Sequence, residues 1–324
     1  MRPKPTVVAS LPPTTVPATT VPPILDGEPW IAFAMNNPLF GINFVRPDGT
    51  GLHVAMSGAP TSRQVNPDWS ADGTQLAFAA DDADGTVDVW TARADGSDAR
   101  KVIECSAPCT GADEPAWSPD DRQLVFQRNV VNNGVLSSTL ELIDIGTGTT
   151  SVVRTAPTNT VYLQPRWSPD GKLLVLEVLQ LTSPVADAEQ TGDGIGIVDL
   201  AHPEADVRML TDFAHFSQSP DWSSAGDLIV YASRSVDGNS AADLFTVHPD
   251  GTNLRQITQL VSNNGAAFEP TFTPDGLRII FVRSTDVNTS KRRIASVAID
   301  GSDIRAEAEA SSVQAYHPRL RPTP

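Results

Sequence analysis

One alternation of apolar and polar positions recurs along the chain. Five short runs, Leu76-Ala77-Phe78, Leu124-Val125-Phe126, Leu174-Val175-Leu176, Ile229-Val230-Tyr231 and Ile279-Ile280-Phe281, predict strands buried on at least one face. A polar connection of variable length follows each and leads to a third strand: Val87–Trp90, Leu140–Ile143, Ile195–Val198, Leu244–Val247 or Ile294–Val297. Pairs of the Asp-Gly kind precede the runs at 72–73, 120–121, 170–171, 226–227 and 275–276. Others follow the third strand at 95–96, 250–251 and 300–301. Such pairs tolerate φ > 0, which a tight hairpin demands. A fourth strand comes next, as at Ala99–Val102 and Arg255–Thr258.

Ahead of each unit stands an anchor: Asn66-Pro67-Asp68-Trp69-Ser70, Glu114-Pro115-Ala116-Trp117-Ser118, Gln164-Pro165-Arg166-Trp167-Ser168 and Ser219-Pro220-Asp221-Trp222-Ser223. Weaker copies are Glu269-Pro270-Thr271-Phe272-Thr273 and His317-Pro318-Arg319-Leu320. Successive prolines are 48, 50, 55, 50 and 48 residues apart. A period near 50 filled by four short strands predicts propeller blades. Proline lacks a backbone N–H, so the anchor suits the edge strand that lines the central channel. The Trp two residues on is expected to fill the space between neighbouring blades.

The first unit lacks an anchor strand. Trp30–Ala34, Asn43–Arg46 and Leu52–Val54 supply its second, third and fourth strands, and the segment around Pro318 supplies the missing first. The expected fold is all-β: a six-bladed propeller of four-stranded antiparallel blades over residues 28–324, closed by pairing of the C-terminal strand with the N-terminal blade. Residues 1–27 carry the Pro/Thr tract Pro12–Pro23, which cannot bury a core and is expected to be a disordered, extended tether.

Charge and cysteines narrow the compartment and the partners. With 23 basic against 39 acidic residues the formal charge is −16, which argues against nucleic acid and anionic membrane. The short run Lys291-Arg292-Arg293 is read as a solvated loop. The tether shows no apolar signal region, lipid-attachment cysteine or membrane span. A Pro/Thr tract commonly spaces an extracytoplasmic domain from an anchor, so a removed upstream signal or anchor is expected as the membrane link. The alternative is a disordered start of a cytoplasmic protein. Cys105 and Cys109 flank Pro108 between blades two and three and are expected to form a disulfide in an oxidising compartment. Two free thiols are the alternative.

Signatures of chemistry are missing. There is no Gly-x-Ser-x-Gly elbow, His-Glu-x-x-His, P-loop or dinucleotide fingerprint, and the five histidines are scattered. The loop Asp82–Asp88 has the spacing of a calcium loop without the distal bidentate Glu. An acidic hairpin turn is the plainer account, so no cofactor is expected, with Ca2+ or another divalent ion as the alternative. Residues flanking the anchor prolines should ring one mouth of the channel: Asn66, Asp68, Glu114, Gln164, Arg166, Ser219, Asp221, Glu269, His317 and Arg319. Polar groups converging on one axis make a concave binding site. Alternatively they solvate the channel and cap one another, as Arg166 with Asp221.

The Pro-x-Trp-Ser-Pro-Asp-Gly strand, followed by an Asp-Gly turn before the fourth strand, resembles the repeat of TolB-type propellers. Trp167–Gly171 and Phe272–Gly276 are its clearest copies, and Leu244–Thr252 with Gln256–Thr258 matches the second half. The resemblance spans residues 28–324. It differs from Trp-Asp-repeat propellers, which carry Gly-His and Trp-Asp pairs, and from kelch, which needs Gly-Gly. It implies a periplasmic ring that holds peptides and proteins at its mouth. Where TolB carries an N-terminal α/β domain, this chain has the Pro/Thr tract. The expectation is a non-catalytic, monomeric scaffold that binds a protein or peptide. The competing expectation is a propeller enzyme or carbohydrate-binding module with a metal in the channel.

Overall fold

A turn closed by one hydroxyl sets the register of the blades. Ser70 Oγ accepts the N–H of Gln75 at 2.9 Å and donates to Asp72 Oδ1 at 2.7 Å. Ser118 with Asp120, Ser168 with Asp170 and Thr273 with Asp275 repeat it. In the fifth unit the acid sits two places later, and Ser223 reaches Asp227 instead. The residue at the tip is left-handed, at Gly73, Gly171, Gly226 and Gly276, and at Asp121 where no glycine stands. The turn places each anchor aromatic opposite the first apolar residue of the next strand: Trp69 with Leu76, Trp117 with Leu124, Trp167 with Leu174, Trp222 with Ile229, and Phe272 with Ile279.

The computed structural model describes residues 27–35, 41–56, 63–82, 84–234, 241–286, 292–306 and 315–323. Blade 1 contains β1 (Ile31–Met35), β2 (Gly41–Val45) and β3 (His53–Val54). Blade 2 is β4 (Gln64–Trp69), β5 (Gln75–Asp81), β6 (Val87–Arg93) and β7 (Arg100–Ile103). Blade 3 is β8 (Cys109–Trp117), β9 (Gln123–Asn132), β10 (Val135–Asp144) and β11 (Thr150–Thr155). Blade 4 is β12 (Thr160–Trp167), β13 (Leu173–Leu181), β14 (Gln190–Asp199) and β15 (Arg208–Met209). Blade 5 is β16 (Gln218–Trp222), β17 (Ile229–Arg234), β18 (Ala242–Val247) and β19 (Arg255–Gln256). Blade 6 is β20 (Ala266–Phe272), β21 (Arg278–Ser284), β22 (Arg292–Ala298) and β23 (Arg305–Ala306). The last strand, β24 (Ala315–Leu320), pairs antiparallel with β1 and completes blade 1.

The result is the six-bladed, four-stranded antiparallel propeller expected, clasped by its two ends. The first strands β24, β4, β8, β12, β16 and β20 touch in a closed ring around the axis. Closure is reinforced by Arg321, whose backbone N–H donates to the Trp30 carbonyl at 2.7 Å and whose Nε donates to the Gly73 carbonyl at 2.7 Å. Apolar clusters lie between blades. Trp69 stacks on Phe44 of blade 1 at 5.3 Å, and Trp222 packs with Val175 and Ile195 of blade 4. Blades 1 and 2 also meet at Gly96, where a Cβ would fall 1.8 Å from the Ala55 carbonyl oxygen.

The remaining sequence features find definite places. Cys105, in the connection from β7 to β8, is disulfide-bonded to Cys109 at the start of β8. Lys101 Nζ sits between Asp82, at 2.6 Å, and Asp88, at 2.5 Å, so in the suspected calcium loop two carboxylates are held by a lysine. The basic run is not a loop at Arg292, which opens β22 with its guanidinium between Phe268 and Tyr316 at 4.9 and 5.0 Å. Cation–π contact on both sides favours that strand position over solvation. Lys291 and the tether, apart from Gly27, lie outside the described residues.

Candidate functional site at the channel

Each residue before an anchor proline is left-handed: Asn66 (φ 53°), Glu114 (55°), Gln164 (48°), Ser219 (55°), Glu269 (52°) and His317 (51°). Proline disfavours helical backbone in the residue before it, and a left-handed L-residue costs about 1–2 kcal/mol. At the same place the pairing of all six first strands shifts register. Such a bulge re-aims a backbone group and a side chain. At three of the six sites the re-aimed N–H meets a carboxylate of the preceding blade. Glu114 Oε2 accepts from Gln164 N at 2.5 Å, Glu269 Oε2 from His317 N at 2.6 Å, and Glu177 Oε2 of β13 from Ser219 N at 3.1 Å. Asp113 accepts from the N–H of Glu114 at 2.6 Å and from the Asn66 amide at 2.8 Å.

A second level lies after the prolines, roughly 6–7 Å further along each strand. Asp68 Oδ2 accepts the N–H of Trp117 at 2.8 Å, and Asp221 Oδ2 that of Phe272 at 2.9 Å. Asp221 Oδ2 also accepts from Thr271 Oγ1 at 2.8 Å. Arg319 Nε lies 3.6 Å from Asp68 Oδ1. Indole N–H groups reach back to carbonyls one blade earlier: Trp69 to Arg319, Trp167 to Ala116 and Trp222 to Arg166, at 3.1–3.2 Å. Among the described residues Arg166 makes no ion pair with Asp221; its guanidinium donates to the Pro165 carbonyl at 3.3 Å.

The candidate residues therefore separate. Gln164, Ser219 and Glu269 face a cavity of about 460 Å3, together with Glu177, Gln218, Arg234 and Arg292. Asp68, Asp221 and Arg319 face a smaller one of about 190 Å3 at the Trp end. Asn66, Glu114 and Arg166 are buried in the channel wall. Glu177 and Asp113 have no counterpart in the anchor pattern. The sign of Glu177 in the sequence is a lone charge inside the apolar run Leu173–Leu179.

Burial controls the ionisation of these groups. It pushes Glu114 up to about 8, with repulsion from neighbouring Asp113 adding to the effect. Glu177 is raised well above the usual carboxylate range by burial and by the charges of Asp193 and Glu114. Burial also raises Asp68 in spite of Arg166 and Arg319, and lowers His317. Arg319 is brought down to about 10 by burial and by the like charge of Arg166. An isolated charge is costly in such surroundings, so burial favours the protonated forms of Glu114 and Glu177. Among the described residues no three His, Cys, Asp or Glu side chains come together as a metal site. His317 Nε2 is 3.6 Å from Glu269 Oε1.

Fold and channel together define a repeat propeller with a polar axial funnel. The family model of the TolB beta propeller domain matches residues 50–259, and the chain belongs to that family. It is 28% identical over 162 residues to the Protein TolB homolog of Chlorobium luteolum, a stretch covering 50% of this chain and 33% of that protein. The chain thus spans 33% and 29% of the lengths of curated relatives that it matches. Among solved structures it is similar to TolB from Acinetobacter baumannii, with TM-score 0.67, 16% identity and coverage of 91% of this chain and 67% of that one. It is also similar to an oligogalacturonate lyase in complex with manganese, with TM-score 0.53, 16% identity and coverage of 87% and 73%. At these identities the structural likenesses show the fold alone.

Proposed function

We propose that the chain is a non-catalytic, extracytoplasmic binding ring that holds a segment of a protein or peptide partner at the pre-proline mouth of its channel. One observation carries this. Glu177 commits one oxygen to Ser219 N, and its other oxygen has no partner among the described residues where the side chain faces the cavity of about 460 Å3. Glu269 stands beside it, and the amides of Gln164 and Gln218 and the cations Arg234 and Arg292 complete the wall. Carboxylates deep in a funnel with amides and guanidinium groups around them suit a peptide. A basic side chain or amino terminus would enter, while backbone carbonyls and acidic groups meet the rim.

The Cys105–Cys109 disulfide supports an oxidising compartment, as does the Pro/Thr-rich segment ahead of the ring. Among the described residues no helix is long and apolar enough to cross a membrane. A displayed peptide library selected on the wild-type chain and on Glu177→Ala/Glu269→Ala tests the proposal. Peptides carrying Lys, Arg or a free amino terminus should be enriched on the first and lost on the second. Equal enrichment on both would move the site elsewhere. Manganese or calcium binding that the same double variant abolishes would instead favour a metal-assisted enzyme.

A further inference from the structure

A further cavity lies outside the channel. It has a volume of about 850 Å3 and opens where the segment after β15 crosses β17, β18 and β19, between blades 4 and 5. That volume falls within the range of sites that enclose small organic ligands.

Its floor is an aromatic pair. Tyr231 of β17 and Phe245 of β18 are directly opposite in the ladder, with ring centroids 5.9 Å apart and planes inclined by 21°. Tyr231 is 3% exposed, and its hydroxyl makes no hydrogen bond to any described residue and is not itself fully buried, so it opens to the cavity. A phenol O–H that opens to a cavity offers one donor and an acceptor there. The side chain lines the cavity, so a bound molecule would meet that hydroxyl.

The charges around it are unevenly satisfied. Asp212 is engaged by His215 Nδ1 at 2.7 Å and by the N–H of Ala214 at 3.1 Å. Asp243 accepts from Thr258 Oγ1 and from Leu260 N, both at 2.7 Å. Arg234 differs: it also lines the cavity, and among the described residues its guanidinium forms no ion pair and no hydrogen bond. It rests on the Phe216 ring at 4.5 Å, which leaves its N–H edge free, and its charge reaches Asp193 only at longer range. A guanidinium seated on an aromatic face with free donors is suited to bidentate capture of a carboxylate.

We propose that this cavity binds a small organic carboxylate carrying a six-membered ring with an apolar face, the carboxylate between Arg234 and the Tyr231 hydroxyl and the ring along the Tyr231–Phe245 stack. A uronic acid and an aromatic acid share this chemistry. The site is separate from the channel mouth except at Arg234, which borders both cavities.

Titration calorimetry on the full chain tests it with glucuronate and 4-hydroxybenzoate as probes, and glucose and 4-hydroxybenzamide as neutral counterparts. At least one acid should bind with a dissociation constant below about 1 mM, and its neutral counterpart about tenfold or more weaker, as the loss of a charged hydrogen bond predicts. Binding of glucuronate alone identifies a sugar acid, and of hydroxybenzoate alone an aromatic acid. Arg234→Gln should weaken the acid about tenfold or more, and Tyr231→Phe by several-fold. Tyr231 does not line the channel mouth, so its variant reports on this cavity, and an unchanged melting curve shows that the ring remains folded. Failure of both acids to bind at about 10 mM, equal binding of the neutral probes, or binding unaffected by Tyr231→Phe would overturn the proposal.

Discussion

The two ends of the innermost strands carry the same motif to opposite effect. At the Trp-Ser end, Ser Oγ closes the turn, Asp68 and Asp221 cap backbone N–H groups of the next blade, and three indoles donate across the blade boundary. At the pre-proline end the backbone is left-handed six times, the register slips, and buried carboxylates sit near one another. The Trp-Ser end is densely hydrogen-bonded and holds the ring together, although Trp117 Nε1, Arg166 Nε and Arg319 Nε have no hydrogen-bond partner among the described residues. The other holds strain and partly satisfied charge, the combination that collects at functional sites. Asp68, Asp221 and Glu269 look alike in the sequence, and each caps an N–H of the next blade. Glu269, however, faces the cavity of about 460 Å3, whereas Asp68 and Asp221 face one of about 190 Å3.

The most severe way to break this division is to open the ring. Removing residues 315–324 deletes β24, leaves β1 with an unpaired edge and removes the Arg321 contacts to Trp30 and Gly73. The loss should exceed about 4 kcal/mol and abolish a single cooperative thermal transition. A truncated chain that melts with the full-length one would show that the clasp carries no stability. Next comes the Trp-Ser end. Trp222→Ala empties space between blades 4 and 5 and deletes the bond to the Arg166 carbonyl, at a cost of about 3–5 kcal/mol by chemical denaturation. Peptide binding at the opposite mouth should survive in the fraction that remains folded.

The acidic end should reveal itself through pH. Glu114 has a folded pKa of about 8 against an ordinary value of 4.5, so between these limits the folded chain holds a proton that the unfolded chain releases. Stability is therefore greatest below about pH 4.5 as far as this group is concerned, and falls as pH rises toward 8, by at most about 1.4 kcal/mol per pH unit. Glu114→Gln keeps an acceptor for the Gln164 N–H and removes the titration. Its stability should exceed the wild type at pH 8 and match it near pH 4.5, in denaturation series at both values. A wild-type curve no steeper than that of the variant would mean that Glu114 ionises freely.

Much of the ring was legible because its causes are local and repeated. An Asp-Gly turn, an apolar run and a proline that tolerates only an edge strand each state a strand position, and six copies state the closure, including Pro318 far from its blade. The channel was legible only in part. Side-chain identity at Asn66, Glu114 and Glu269 could be read, but not that the bulge makes the residue before proline left-handed. Glu177 and Arg292 approach the axis from β13 and β22, so no spacing within the anchor predicts them. The cavity between blades 4 and 5 arises where β15 and β19 are each two residues long, a shortfall of pairing that the apolar pattern does not reveal.

The smallest effect tests the strain itself. Ser219 is at φ 55° before Pro220, and its side chain has no hydrogen bond among the described residues, so Ser219→Gly changes little besides backbone preference. Glycine should recover about 1–2 kcal/mol of left-handed cost and lose about 0.4–1 kcal/mol to the entropy of the unfolded chain. A net gain of roughly 0.5–1 kcal/mol follows. The same change at Ser168 removes the hydroxyl that binds Asp170 and the Leu173 N–H, and should cost about 2 kcal/mol. Opposite signs at two serines in equivalent repeats would separate a strained end from a hydrogen-bonded one by denaturant midpoint alone. If both variants lose stability, the left-handed pre-proline backbone is at ease in the ring, and the reason for placing the binding site there is weakened.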